Sequence, residues 1–207
     1  MEQIWLTWTK RLQAIASTGQ HFTSDDYDRE RYDEVANIAQ QMLSLLGNIP
    51  IRKIESLVPD FAKGYATPRV DVRGAIIEDD KVLLVREVSD QLWTLPGGYA
   101  DVGLSPPENV VKEIHEEACI AVTASSLYGV RHKAKHEYDE DARDFYIFFF
   151  LCERVDKSPP QPGLEISEVG YFGINKLPPL SRGRVIEDDI KAAFAAHRET
   201  NTATAFD

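Results

Sequence analysis

Residues 95–120 read LPGGYADVGLSPPENVVKEIHEEACI, and this stretch decides the fold. A short apolar run, Trp93 to Leu95, meets Pro96-Gly97-Gly98, so a strand gives way to a sharp turn whose glycines let the backbone approach a neighbour closely. A helix follows. Ser105 suits its N-cap, Pro106 its first turn, and Glu108 completes an S-x-x-E capping box. Beyond the cap, Glu113, Glu116 and Glu117 recur at spacings of three and four, which puts three carboxylates on one helical face. Val111, Ile114 and Ala118 take a different, apolar face. On a bare helix each like-charge pair costs a few tenths of a kcal/mol, on the order of 0.3. A hard divalent cation offsets that repulsion, because Mg²⁺ prefers carboxylate oxygen and keeps several waters. Three glutamates alone read most simply as a solvated acidic face. The strand and double-glycine turn ahead of them change the weighing toward a metal–diphosphate site.

Working outward, Val70, Val72 and Ala75 to Ile77 read as a strand, Asp79-Asp80 as a turn, and Val82 to Val85 as the second arm of a hairpin. Further strands are expected near Leu127 to Lys133, Phe145 to Cys152 and Val169 to Phe172, with a closing helix over Val185 to Ala196. Helices and hairpins mixed in this order fit an α+β fold, or a helix–sheet–helix sandwich, better than a regular βαβ series. The tail from Glu199 is polar and small and reads as frayed. Toward the N-terminus the pattern is helical. Trp5, Trp8, Leu12 and Ile15 fall on one helical face, and Ser17 to Asp26 reads as a break. A second helix starts near Ser24, carries Val35, Ile38, Met42, Leu45 and Leu46 on its apolar face, and meets a stop at Gly47 and Pro50. A short third helix is expected over Ile51 to Leu57, and Pro59 to Pro68 reads as a linker. Three short helices make a small core, so they are expected to pack on the next domain or on a second copy of the chain.

The bulk numbers are those of an ordinary soluble globular chain: 207 residues, 43% hydrophobic and 28% charged. No apolar run approaches the ~20 residues that span a bilayer, and the N-terminus lacks a signal-peptide pattern. Two cysteines without a CxxC pair, Cys119 and Cys152, fit a reducing compartment and are expected to be buried and inert, so a cytoplasmic location is expected. A net charge of −11 argues against a broad nucleic-acid surface. It leaves small phosphorylated substrates open, because divalent cations can sit between carboxylate and phosphate.

The segment from Gly98 to Ile120 resembles the Nudix box, G-x5-E-x7-R-E-U-x-E-E-x-G-U. Gly98 takes the first position, Glu113 the glutamate after the arginine, Ile114 the apolar position, Glu116 and Glu117 the paired glutamates, and Ile120 the last apolar position. Gly19 to Val35, Val70 to Glu87, the Phe148–Glu153 run FFFLCE and the Leu177–Arg184 run LPPLSRGR are similar to a Nudix subfamily that carries a helical N-terminal extension and includes CDP-choline pyrophosphatases. The resemblance implies a Nudix αβα sandwich at residues 68–200 behind a small all-α domain at residues 1–60 that serves dimerisation. It also implies that Glu113, Glu116 and Glu117 hold Mg²⁺ or Mn²⁺, and that the chain hydrolyses the diphosphate of a nucleoside diphosphate linked to X, of CDP-choline or ADP-ribose type. Three positions depart from the box. Leu104 stands in place of its first glutamate, a usual variant of that subfamily. Lys112 replaces its arginine and loses the bidentate fork. Cys119 replaces its late glycine, which strains the helix end if a positive φ is needed there. These departures motivate a rival reading, a Nudix-fold nucleotide sensor without turnover; the retained glutamates weigh against it.

Further candidates lie outside the box. Glu117, Glu116, or a loop glutamate, Glu165 or Glu168, is expected to act in catalysis, with Glu165 slightly favoured of the loop pair. Gly97, Gly98, Tyr99 and Arg73 are expected at the substrate, Arg73 as a phosphate partner, although an exposed strand arginine is equally ordinary. Trp93 reads as core. The charged stretch His132 to Arg143 reads either as a mobile loop over the substrate or as a solvated hairpin tip.

Overall fold

The structure, a computed structural model, describes residues 3–47, 65–155, 157–199 and 203–207. The expected helix at Ile51 to Leu57 and most of the expected linker lie outside these residues, as does the side chain of Leu46. The chain divides into two compact units, Met1–Arg69 with Glu140–Asp144, and Val70–Asp139 with Phe145–Asp207.

The first unit is built on helices α1 (Ile4–Phe22) and α2 (Asp26–Gly47). Helix α1 continues through Ser17, where a break was expected. The turn comes at residues 23–25, where the Thr23 hydroxyl accepts the Asp25 N–H at 3.1 Å and Asp25 accepts the Asp28 N–H at 3.0 Å. The packed face also differs from the expected one. Leu6, Thr9, Lys10, Gln13, Ala16 and Ser17 of α1 are buried, with Ala36, Ala39 and Leu43 of α2, whereas Trp5, Trp8 and Ile15 are 54%, 44% and 57% exposed. Small residues let the two helix backbones come close, and helical spacing alone does not say which face a neighbour covers. Lys10 is buried because its ammonium pairs with Asp144 and donates to the carbonyls of Asp141 and Arg143. Unit 1 therefore leaves several large apolar side chains exposed, Trp5, Trp8 and Ile15 on α1 and Ile38 and Leu45 on α2.

The second unit is an α+β, helix–sheet–helix sandwich. One sheet runs in the order β5 (Gly97–Tyr99), β1 (Arg69–Ala75), β7 (Phe145–Arg154), β6 (Val122–His132), β9 (Ala205–Phe206). In the other, β3 (Lys81–Glu87) pairs with β2 (Ile77–Glu78), β4 (Trp93–Thr94) and β8 (Ile166–Gly173). Two further helices, α3 (Pro106–Ala118) and α4 (Glu187–Arg198), cover the faces. The run Val82-Leu83-Leu84-Val85 is apolar at every position because both of its sides are buried. Val82 and Leu84 join Phe149, Ile190 and Phe194 under α4, while Leu83 and Val85 join Val110, Ile114 and Phe150 under α3. Each such side chain contributes about 1.5–3 kcal/mol of hydrophobic burial. The β2–β3 turn has both Asp79 and Asp80 at positive φ, 50° and 56°, as a two-residue type I′ hairpin requires. The end of the chain corrects one expectation. Instead of fraying, residues 205–206 pair in parallel with Gly129 and Val130, and the Thr204 hydroxyl donates to the Leu127 carbonyl at 2.7 Å. Asp207 accepts from the His132 amide and contacts His136, so part of the charged stretch is held in place. Among the described residues no helix is long and apolar enough to cross a membrane.

Candidate active site

Helix α3 starts as its sequence requires: the Ser105 N–H donates to Glu108 at 2.8 Å and proline fills the first turn. Its far end is clasped by the 157–165 loop, where Gln161 N–H donates to the Ala118 carbonyl at 2.9 Å and Gly163 N–H to the Glu117 carbonyl at 3.0 Å. The helix is thereby fixed at both ends, and the LPGG turn meets it through the Gly97 N–H on Glu117.

The three glutamates share a face but not an environment. Glu117 is buried, 9% exposed, and its Oε2 accepts the Gly97 N–H at 2.9 Å. Burial, with repulsion from Glu87 and Glu113, pushes its carboxyl up to about 8 against the opposing pull of Arg73 and the Gly97 N–H. Glu113 is half-buried, and its carboxyl is also raised, first by burial and then by Glu116 and Asp101, against Lys112 and Arg73. Glu116 is exposed and paired with Lys112 at 2.9 Å; Lys112 also reaches Asp101 at 3.2 Å. Two glycines allow this contact between turn and helix. A Cβ on Gly97, whose φ is +143°, would lie 2.0 Å from the Val72 carbonyl oxygen. A Cβ on Gly98 would lie 2.8 Å from Oε2 of Glu113. As placed, no three acidic, histidine or cysteine side chains among the described residues converge on one point at metal-ligand distance.

The other expected site residues are distributed unequally. Glu165 is exposed in the turn before β8, where its carbonyl accepts the Val88 N–H at 2.9 Å and its charge is felt by Glu87. Glu168 lies on β8 and is committed to Arg86 at 3.0 Å. Tyr99 is half exposed at the end of β5 and stacks on Phe145, with centroids 5.6 Å apart and planes within 14°. Arg73 is not an exposed strand arginine: it is buried, with its guanidinium on Asp71 and the Leu95 carbonyl. Trp93 packs edge-to-face on Phe172 against the core. Cys152 is buried, its thiol pushed up to about 12 by that burial, but Cys119 is exposed and caps α3 at φ 54°.

Sequence reasoning missed Asp71, Glu87 and Arg184. Glu87 ends β3 almost fully buried, its carboxyl raised by burial and by Asp90 and Glu165 while Arg184, 3.3 Å away, and Arg73 pull it down. Arg184 also binds Asp90 at 2.8 Å, beside Ser181. For Asp71 and Glu87 the available signal was the strand context, whereas Arg184 lies in the turn ahead of α4. A charged residue in a strand covered on both faces is buried, and buried charges are paired.

The chain matches the NUDIX domain family over residues 67–200, and over residues 3–58 the family described as "UDP-X-like, N-terminal oligomerisation domain". A Bacillus subtilis (strain 168) protein named "Putative ADP-ribose pyrophosphatase YjhB" is 38% identical over 203 residues, covering 98% of this chain and 97% of its own. The crystal structure of an ADP-ribose pyrophosphatase from Streptococcus suis 89-1591 is 38% identical, with a TM-score of 0.62 over 68% of this chain and all of its own. That of a UDP-X diphosphatase is 31% identical, with a TM-score of 0.62 over 98% of both chains.

Proposed function

Since the chain belongs to the Nudix family and is a Nudix hydrolase, we propose that it hydrolyses the diphosphate bond of a nucleoside diphosphate linked to X, releasing a nucleoside monophosphate and phospho-X. The observation that carries this reading is the seating of Glu117 and Glu113 against the two glycines of the turn. Two partly buried carboxylates, each penalised by burial and by neighbouring acids, Glu117 by Glu87 and Glu113 and Glu113 by Glu116 and Asp101, suit a divalent cation in kind and in charge. Glu113, Glu116 and Glu117 would hold Mg²⁺ or Mn²⁺, with Glu116 released from Lys112. When bound, the ion neutralises diphosphate charge and lowers the pKa of a water. The protein's own contribution is position. Gly97 fixes one oxygen of Glu117, and the glycines keep side chains out of the approach to it. Tyr99 offers an exposed ring edge near the turn. Glu165, open to solvent and not committed to a cation as Glu168 is, is the better candidate to accept a proton. The names of the relatives favour an ADP-ribose or UDP-linked substrate, and the resemblance of LPPLSRGR and FFFLCE keeps CDP-choline in the panel. The exposed apolar side chains of unit 1 are proposed to meet a second copy of the chain, which agrees with the description of the family matched there.

The test is a cleavage screen with Mg²⁺ or Mn²⁺ over ADP-ribose, CDP-choline, UDP-sugars and dinucleoside polyphosphates. Metal-dependent release of a nucleoside monophosphate from one class is expected, with Glu165→Gln slowing it at least tenfold. Folded, Mn²⁺-binding protein that leaves the whole panel intact would overturn the proposal.

A further inference from the structure

Asp71 and Arg73 stand two residues apart on β1, on one face of the strand, and both are buried, 6% and 3% exposed. Arg73 Nε and Nη2 donate to Oδ1 and Oδ2 of Asp71 at 2.9 and 3.0 Å, a two-pronged bond that fixes the guanidinium plane. The remaining prong, Nη1, donates to the Leu95 carbonyl at 3.3 Å. Leu95 opens the LPGG turn. The other end of the turn is held by strand pairing, in which Arg73 is opposite Gly97, Val72 opposite Gly98 and Asp71 opposite Tyr99. Gly74 N–H closes the pattern on the Pro96 carbonyl at 2.9 Å. Every residue of the turn is thus tied to the segment 71–74, and it is from this turn that the Gly97 N–H reaches Glu117.

We propose that the buried Asp71–Arg73 pair is a positioning device: it sets the Leu95–Gly98 turn so that the Gly97 amide fixes the Glu117 carboxylate, and Arg73 does not touch the substrate. This rests on the reading of Glu117 as part of the site. A buried ion pair is a poor stabiliser, because desolvation of both charges offsets their attraction, and an apolar pair of similar volume would serve packing as well. What it supplies here is direction, since the planar fork accepts one orientation. Lys112 cannot perform this task, being drawn out to Asp101 and Glu116. Arg73 is the cation that Glu117 feels most, and it also acts on Glu113 and Glu87.

The experiment compares wild type with Arg73→Lys and with the neutral double variant Asp71→Asn/Arg73→Met, which leaves neither partner of the pair as a lone charge. Supporting groups of this kind typically cost about 10–100-fold in metal affinity or activity. The double variant is expected to fold with a melting temperature within a few degrees of wild type, to lose about 100-fold in kcat with KM within about threefold, and to bind Mn²⁺ about tenfold more weakly. Hydrogen exchange at the Gly97 amide should speed up about tenfold while core amides such as those of Leu83 and Ile147 keep their protection. Arg73→Lys keeps the charge but cannot span both Asp71 oxygens and Leu95, and loses about tenfold in kcat. A rise in KM at unchanged kcat would make Arg73 a phosphate contact and overturn the proposal. So would a folded double variant with wild-type kcat, Mn²⁺ affinity and Gly97 exchange. If wild type cleaves nothing in the panel, the substrate reading fails, while the Mn²⁺ and Gly97 measurements still decide this one.

Discussion

Replacing Glu117 by Gln should stabilise the metal-free protein as it abolishes turnover, and the gain should depend on pH. The carboxyl is raised from its ordinary 4.5 to about 8, chiefly by burial. The folded chain therefore holds a proton that the unfolded chain has already released between about pH 4.5 and pH 8. The sign follows: the stability linked to this proton is fully present below about pH 4.5 and is lost as pH rises through about 8. Lifting the carboxyl from 4.5 to about 8, at about 1.4 kcal/mol per pH unit, amounts to a ceiling of about 5 kcal/mol. Water entering beside the ionised group lowers that, so about 2–5 kcal/mol is the expected difference at pH 8.5. Gln has no charge to lose, and its carbonyl can accept the same Gly97 N–H. Urea unfolding in EDTA, from pH 4.5 to 8.5, should show the two proteins alike at the acid end and the variant increasingly more stable toward the alkaline end. Glu113 and Glu87 are raised in the same direction and remain in both proteins, so their burial contributions cancel in the difference and only their repulsion with Glu117 is removed. Added Mn²⁺ should restore wild type alone, since binding to the folded state adds RT ln(1 + [L]/Kd). An EDTA curve in which the variant is less stable at pH 8.5, or differs by a constant at all pH values, would refute the reasoning.

The two glycines of the turn should fail differently. Gly97→Ala forces a Cβ to 2.0 Å from a backbone oxygen at a positive φ, so a loss of about 2–5 kcal/mol in denaturant unfolding is expected. Gly98→Ala meets only the movable end of Glu113 at 2.8 Å; it should keep its fold and lose about tenfold in metal affinity and turnover. Cys119→Gly, at φ 54° on the end of α3, should gain about 1 kcal/mol, seen as a melting temperature about 2–4 °C higher. Trp5→Glu/Trp8→Glu should leave the helical content unchanged and weaken self-association at least tenfold by sedimentation, because both rings are exposed in the first unit.

The elements of the sandwich were readable because their causes are local. The Ser105–Glu108 cap, the paired aspartates of the hairpin and the double glycine each fix backbone over a few residues, and the apolar runs between them have strand length. Which carboxylate is buried was not readable. Glu113, Glu116 and Glu117 differ by one turn of helix, yet one is half-buried, one exposed and one enclosed, because the turn covers only part of their face. For the same reason Val70-Asp71-Val72-Arg73 looks like a strand with a wet side, whereas Asp71 and Arg73 are enclosed. In α1 the aromatic spacing pointed to a packed face, but the residues that are buried are Leu6 and a set of small and polar ones. Periodicity reports that a face exists; the partner that covers it is tertiary information.

The departures from the box can be judged from where they stand. Gly97 faces the backbone of β1 and Gly98 faces the Glu113 carboxylate, so the turn adds no side chain of its own at these positions and the Glu113 and Glu117 side chains of the helix make the contact. Leu104 is 40% exposed in the loop ahead of the cap. Leu104→Glu, which restores the missing carboxylate, should therefore leave unfolding within about 0.5 kcal/mol of wild type, as surface substitutions do. Turnover should change by less than about threefold, because a new acid at a solvated loop position acts on the site only through screened charge. Steady-state kinetics under saturating Mg²⁺ give the answer. A tenfold gain in kcat would mean that this loop closes over the site during the reaction, and that the turn–helix contact alone does not define it.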